Sequence, residues 1–272
     1  MIHIYLKKMI FSPITIISAL FLTLTLLLSC LSLAGFTTLW GPLYLFQYMS
    51  SVGIMYYFVP VMTVLPICLV QYEMIIKNAE VYVLHRSTPQ RYIIGGIVSS
   101  AISGAVITLM AFVIFIIFCI VVDICVMAMP QYSDITENIV YTEILGNKLH
   151  DLSGTWFAKS PVWILYLREA FVFACNGVIW PVISYTVFSF SKNQYIAAAA
   201  PFIFRTGGAY ILQNLKWPEW IWKLDPTRLK LSGGLNTSPD SGLLFVVIYI
   251  AAIVAICSVF SYYKIRRRIV HG

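Results

Sequence analysis

The sequence predicts an all-α, polytopic membrane protein, and three observations carry that prediction. Of 272 residues, 60% are hydrophobic and 11% are charged, where a soluble domain averages about 25% charged. The apolar residues fall into continuous runs that match a hydrocarbon layer of roughly 30 Å, which takes around 20 helical residues to cross. The basic residues gather in alternate connecting segments. Runs of this kind favour helices over a closed barrel, because a chain in lipid must satisfy its backbone hydrogen bonds internally and a barrel would alternate.

Six spans are predicted, at 14–34, 52–70, 97–122, 170–190, 195–212 and 242–262, in a single transmembrane domain covering 1–272 with an outer loop at 123–169. With both termini inside, the inner segments carry ten bases (Lys7, Lys8, Lys77, Arg86, Arg91, Lys192, Lys264, Arg266, Arg267 and Arg268) against two acids, Glu73 and Glu80. The outer segments hold seven bases and nine acids, and Arg205 lies within a span. That is the positive-inside bias; it sets the expected orientation in a cell membrane with both termini cytoplasmic. It also explains the net charge of +7 without nucleic acid as a partner.

The first span follows Lys7 and Lys8, a pattern shared with secretory signals, and Leu27-Leu28-Ser29-Cys30 approximates a lipoprotein cleavage site. The run is as long as a full span, and losing it would break the charge alternation, so a retained helix is expected. Tyr44, Phe46 and Tyr48 suit an outer headgroup layer. In the second span Pro60 and Pro66 each remove a helical hydrogen bond and predict an interruption.

The inner segment 71–96 is the most informative. Ile75, Ile76, Ala79, Tyr82 and Val83 share one helical face, and Lys77, Asn78, Glu80 and His85 point away. Ser87-Thr88-Pro89 then signals a helix start, with Thr88 capping and Pro89 at the first helical position. A helix lying flat on the inner surface is expected, serving either as a solvated connection or as a docking surface for a cytosolic partner. The third span carries Gly104 among Ser and Ala residues, which permit close helix approach. It is longer than a bilayer requires.

The outer segment 123–169 is polar, without strand alternation. At its end Arg168 and Glu169 either cap the fourth span or face an internal cavity. In the fifth span Arg205 lies ten residues beyond Tyr195, about 15 Å into the layer. A cation there is costly and faces protein, water or a partner; the alternative is a helix that ends near Gly207-Gly208 and lets Arg205 snorkel outward. Beyond it, Leu212, Leu215, Trp217, Trp220, Ile221 and Leu224 form an apolar stripe beside Lys216, Glu219, Lys223 and Asp225. That pattern predicts an outer interfacial or re-entrant helix.

The six cysteines (Cys30, Cys68, Cys119, Cys125, Cys175 and Cys257) lie in or beside apolar runs without paired spacing, and are expected to act as small hydrophobes. There is no phosphate-binding G-x-x-x-x-G-K-[ST] loop, so any ATP hydrolysis belongs to another subunit. His3, His85, His150 and His271 are scattered and none sits within a span, which argues against a metal site and against an intramembrane hydrolase. A non-catalytic chain is expected.

Three stretches together resemble the permease subunit of ABC type-2 exporters, a family with six spans and both ends in the cytosol. Glu73, then Asn78-Ala79-Glu80, then His85-Arg86-Ser87-Thr88-Pro89-Gln90-Arg91 resemble its inner segment between the second and third spans. Asn176-Gly177 through Lys192-Asn193-Gln194-Tyr195 to Pro201-Phe202 resemble its fourth and fifth spans with their short inner turn, and 212–231 resembles its outer re-entrant helices. The chain departs from minimal members in its longer outer segment and in Arg205.

The resemblance implies a half-pore that pairs with a second copy or a similar permease in the membrane lipid. It implies no cofactor in this chain, with ATP and magnesium bound by a separate ATPase subunit. It also implies a coupling helix that docks on that subunit through Glu73, Ile75, Ala79, Glu80, Tyr82, Arg86, Pro89 and Arg91. The polar residues of the fourth and fifth spans, Arg205, Asn176, Arg168 and Glu169, are the candidates for a pathway. The alternative is an adaptor or immunity protein that binds a peptide or membrane partner through 123–169. A secondary transporter would want a buried carboxylate or an inverted repeat, and neither appears in the sequence.

Overall fold

A computed structural model describes residues 7, 9–31, 55–76, 88–127, 162–214 and 239–271, and every one of its elements is helical. In chain order they are α1 (Pro13–Leu31), α2 (Met55–Met62), α3 (Leu65–Ile76), α4 (Pro89–Met127), α5 (Val162–Ser191), α6 (Gln194–Asn214) and α7 (Pro239–His271). Three stretches are long and apolar enough to cross a bilayer: Gln90–Val121, Tyr166–Ser191 and Leu244–Arg267. Pro13–Ser29 and Tyr57–Glu73 are apolar but shorter.

Local chemistry sets the helix ends. Before α1, Ser12 receives the amide of Ile14 on its hydroxyl at 3.3 Å and that of Thr15 on its carbonyl at 3.0 Å. Pro13 then occupies the first position, where its missing N–H costs nothing. Thr88 does the same for α4: the amide of Arg91 reaches its hydroxyl at 3.5 Å and that of Tyr92 its carbonyl at 3.2 Å. Between α2 and α3 the helix breaks at Thr63-Val64. Pro66 cannot donate to the Met62 carbonyl four residues back, and its ring crowds that carbonyl. Val64 therefore bonds Val61 in a tightened turn at 3.2 Å, and the Thr63 hydroxyl adds a bond to the Val59 carbonyl at 2.8 Å. Pro60 is carried inside α2, and the interruption belongs to Pro66.

The junction of α5 and α6 takes only Lys192 and Asn193. Lys192 adopts a left-handed φ of 54° and closes α5 by donating to the Phe188 carbonyl at 2.9 Å, the usual geometry of a helix C-cap. Asn193 then caps α6, its side-chain oxygen accepting from Tyr195 at 2.9 Å and Ile196 at 3.4 Å.

Helix α5 is the centre of the bundle and packs on α2, α3, α4, α6 and α7. Of its apolar stretch 67% is buried, against 11% for α7, so α7 lies against the outside of α5 and α4. On the other side α1, α2–α3 and α6 are neighbours, since α2 and α3 each touch both α1 and α6. The tightest contact is α4 on α5. A Cβ built on Gly104 would stand 2.0 Å from the Gly177 carbonyl oxygen, and one on Gly177 would stand 2.4 Å from the Thr108 hydroxyl. Small residues let the two backbones touch, as expected of Gly104.

Interior hydroxyls mostly bond back to their own helix: Thr23 to Ala19, Ser100 to Gly96, Thr108 to Gly104, Thr186 to Val182 and Ser189 to Tyr185. That satisfies them without water. Large apolar side chains face outward along α1 (Ile16, Leu20, Leu24), α4 (Val113, Ile117, Val121) and α7 (Leu244, Ile248, Val259). A surface of this kind suits hydrocarbon and would aggregate in water.

Four boundaries differ from the sequence expectation. Helix α5, the expected fourth span, starts at Val162, not 170, and α4 runs on to Met127, so both ends of the outer loop are helical. Helix α6, the expected fifth span, continues through Gly207-Gly208 to Asn214, which rules out the early end that would free Arg205. The last helix extends to His271. At the ends of α6 and α7 polar residues flank the apolar run, and hydropathy alone under-counts a helix that outruns the hydrocarbon; in α5 the pair Arg168-Glu169 cuts the apolar residues 162–167 off from the rest of the run.

Candidate functional site

Cross-helix contacts fix the relative heights of the helices. Thr23 reaches the Ala111 carbonyl at 3.4 Å, Gly104 meets Gly177, the Cys68 sulfur lies 3.8 Å from the Ser184 hydroxyl, and Ser261 lies 3.4 Å from Thr186. The starts of α1, α4 and α6 therefore share one end of the bundle with the finishes of α3, α5 and α7. Among the described residues that end carries the bases Lys7, Arg91, Lys192, Lys264, Arg266, Arg267 and Arg268 and the acid Glu73. The opposite end carries Arg168 with Asp123, Glu169 and Asp240, and Arg205 lies between the two ends. The charge bias of the sequence thus becomes a basic end and a mildly acidic end.

Of the coupling residues, Glu73 is exposed on the last turns of α3, and Arg91 is exposed on the first turn of α4. Ile75 lies on α3, and Pro89 opens α4. The bundle brings these to the basic end. Ala79, Glu80, Tyr82 and Arg86 lie outside the described residues, as do most of the expected flat helix, the 128–161 part of the outer segment and the expected outer interfacial helix beyond Asn214.

The pathway candidates sit on the α5–α6 hairpin. Arg205 is 3% exposed, aligned with buried Ala197 and Pro201 on the face of α6 that meets the bundle. Glu169 is 8% exposed, and Arg168 and Asn176 are half-buried. Counting from the hairpin turn at ~1.5 Å per residue, Arg205 and Asn176 lie about 16 and 22 Å up, and Arg168 and Glu169 about 33 Å. Arg205 and Asn176 thus share the middle of the bundle, and the other pair stands at its acidic end. Arg168 and Glu169 lie inside α5, beyond its first turn.

Gln71 is a polar interior residue that hydropathy does not single out. It is 3% exposed on α3, and neither side-chain amide atom is hydrogen-bonded within the protein. The Asn176 oxygen, the Trp180 indole N–H and the Ser18 and Ser103 hydroxyls are in the same condition. Buried polar groups normally find a partner, so this interior is more polar than its hydropathy suggests. The available signal is an amide at the junction of a span and a basic segment, where it reads as part of the segment.

Cys68, Cys119, Cys175 and Cys257 form no disulfide, and Cys175 and Cys257 are buried among apolar neighbours, the small-hydrophobe role expected of them. Cys30 and Cys125 lie on helices whose side chains there are outside the described residues.

An all-helical bundle with long apolar helices, an apolar outer surface and charges gathered at its ends is the build of a membrane protein. Compared with family models, curated proteins and solved structures, the chain matches none.

Proposed function

We propose that this chain is the membrane-spanning permease subunit of an ATP-driven exporter, crossing the bilayer six times with both termini on the cytosolic side. The supporting observation is the anchoring of the connector 77–87. On one side it leaves α3, whose last turns expose Glu73; on the other it enters α4 through the Thr88 cap, with Arg91 exposed beside it. A force on such a connector reaches helices packed into the core. The neighbours on its α3 side are α1 and α6, with a break at Thr63-Val64 between α3 and α2.

In this reading an ATPase binds below the connector through the faces of Ile75, Ala79 and Tyr82 and the charges of Glu73, Glu80, Arg86 and Arg91. ATP and magnesium are held by that subunit, and its closure tilts α3. A second permease copy completes the pathway, and coupling requires that both sites bias the same two arrangements. The resemblance of 73–91 to a coupling segment adds support. Arg205 and Asn176 are the residues assigned to the pathway, reached when α6 and α2 move apart.

The test is gentle extraction followed by identification of co-purifying proteins, with ATPase activity measured on the complex. A stoichiometric soluble ATPase is expected, and Glu73→Ala or Arg86→Glu should abolish transport-linked hydrolysis while insertion stays normal. If both variants keep full activity, or no ATPase accompanies a working preparation, the exporter assignment fails. Loss of function on deleting 128–161, with Arg205→Met silent, would instead support an adaptor.

A further inference from the structure

The basic end has a local feature that an average charge bias does not require. Lys192, in the two-residue turn, is exposed and follows Phe190 by two residues. The Lys264 ammonium of α7 lies over the Phe190 ring, 5.7 Å from its centroid. Arg267, three residues further along α7, is on the adjoining turn and exposed. The C-terminus of α5 therefore meets the side of α7 two turns before that helix ends at His271.

The same level is ringed by outward aromatic side chains: Phe190 is 44% exposed, Tyr195 76% and Tyr263 70%. Exposed rings of this type settle at headgroup depth. Lys192, Lys264 and Arg267 thus stand where phosphodiesters lie. Ser191 and Asn193, on either side of Lys192 in the chain, are exposed as well.

We propose that Lys192, Lys264 and Arg267 form a binding site for the headgroup of an anionic phospholipid, held against the α5–α6 turn by the end of α7. The occupant is argued from charge and depth: three cations at the interface, beside an apolar outer surface for acyl chains, complement a lipid of net negative charge. The site rests on the membrane-spanning reading alone and is independent of any ATPase.

The experiment reconstitutes the full chain in phosphatidylcholine vesicles containing trace spin-labelled phosphatidylglycerol or spin-labelled phosphatidylcholine, and measures the relative association of the two probes with the protein. The wild type should prefer phosphatidylglycerol on the order of tenfold. The variant Lys192→Gln/Lys264→Gln/Arg267→Gln should bring the ratio close to one, while Lys7→Gln/Arg91→Gln, at the same end, should leave it nearly unchanged. Helix content and monodispersity report that each variant is folded. Equal affinity of the wild type for both probes overturns the site. So does an equal loss in both variants, which would indicate diffuse charge, or a triple variant that keeps its lipid preference while losing a bound soluble protein.

Discussion

Gly104 and Gly177 show how one missing methyl can decide a packing. A Cβ at Gly104 meets backbone on the opposing helix at 2.0 Å, and backbone cannot rotate aside as a side chain can. Gly104→Ala is expected to destabilise the bundle by more than the ~1 kcal/mol it gains in helix propensity, with overpacking costing about 1–3 kcal/mol or more. Thermal unfolding in detergent should show a clear drop. Gly207→Ala and Gly208→Ala are the controls, since nothing lies within 4 Å of a Cβ at either position; they should be neutral or raise stability by up to ~1 kcal/mol. At Gly96 the obstacle is the Tyr185 ring at 2.2 Å. Gly96→Ala should therefore be partly rescued by Tyr185→Ala, with a coupling of about 0.5–3 kcal/mol in a double-mutant cycle. Additive effects would show that the two do not touch.

At the scale of the element, the interruption between α2 and α3 has one covalent cause. Replacing Pro66 with Ala restores a donor for the Met62 carbonyl and removes the ring that crowds it. In Pro66→Ala the two helices should join, and amide exchange across 62–66 should slow by an order of magnitude or more as the turn at Thr63-Val64 becomes continuous helix. Pro60→Ala lies within α2 and should leave that exchange pattern in place. If the joined helix also uncouples ATP hydrolysis from transport, the break is the hinge through which the connector acts. Two prolines in one span announce an interruption, but their positions do not say which of them makes it. That depends on where the chain can tighten, at Val64 onto Val61.

For the whole molecule, the separation of charge predicts sidedness. Cysteines introduced at positions 80 and 148 should react with an impermeant reagent from opposite faces of intact cells, position 80 from the cytosolic face. Labelling of both from one side would overturn the six-crossing topology. The same ordering of charge is legible in the sequence, because membrane insertion reads Lys and Arg in short loops largely irrespective of how the helices later pack. The helices are legible for a related reason. In hydrocarbon a backbone has few alternatives to a helix, so a continuous apolar run almost dictates one.

By itself, then, the sequence determined that the chain is helical and built for a membrane. It also determined that α4 starts at Thr88-Pro89, that α5 and α6 are joined by a tight turn, and that basic residues occupy alternate segments. Each of these depends on neighbours in the chain. Tertiary structure alone decided that α5 is central and α7 peripheral, although each carries an apolar stretch long enough to cross a bilayer, because hydropathy does not distinguish lipid from a neighbouring helix. It decided likewise that Arg205 is buried where the fifth helix could have let it reach outward, and that Gln71 belongs to the interior. Burial of a polar side chain depends on which other helices stand beside it, and those lie scores of residues away in the chain.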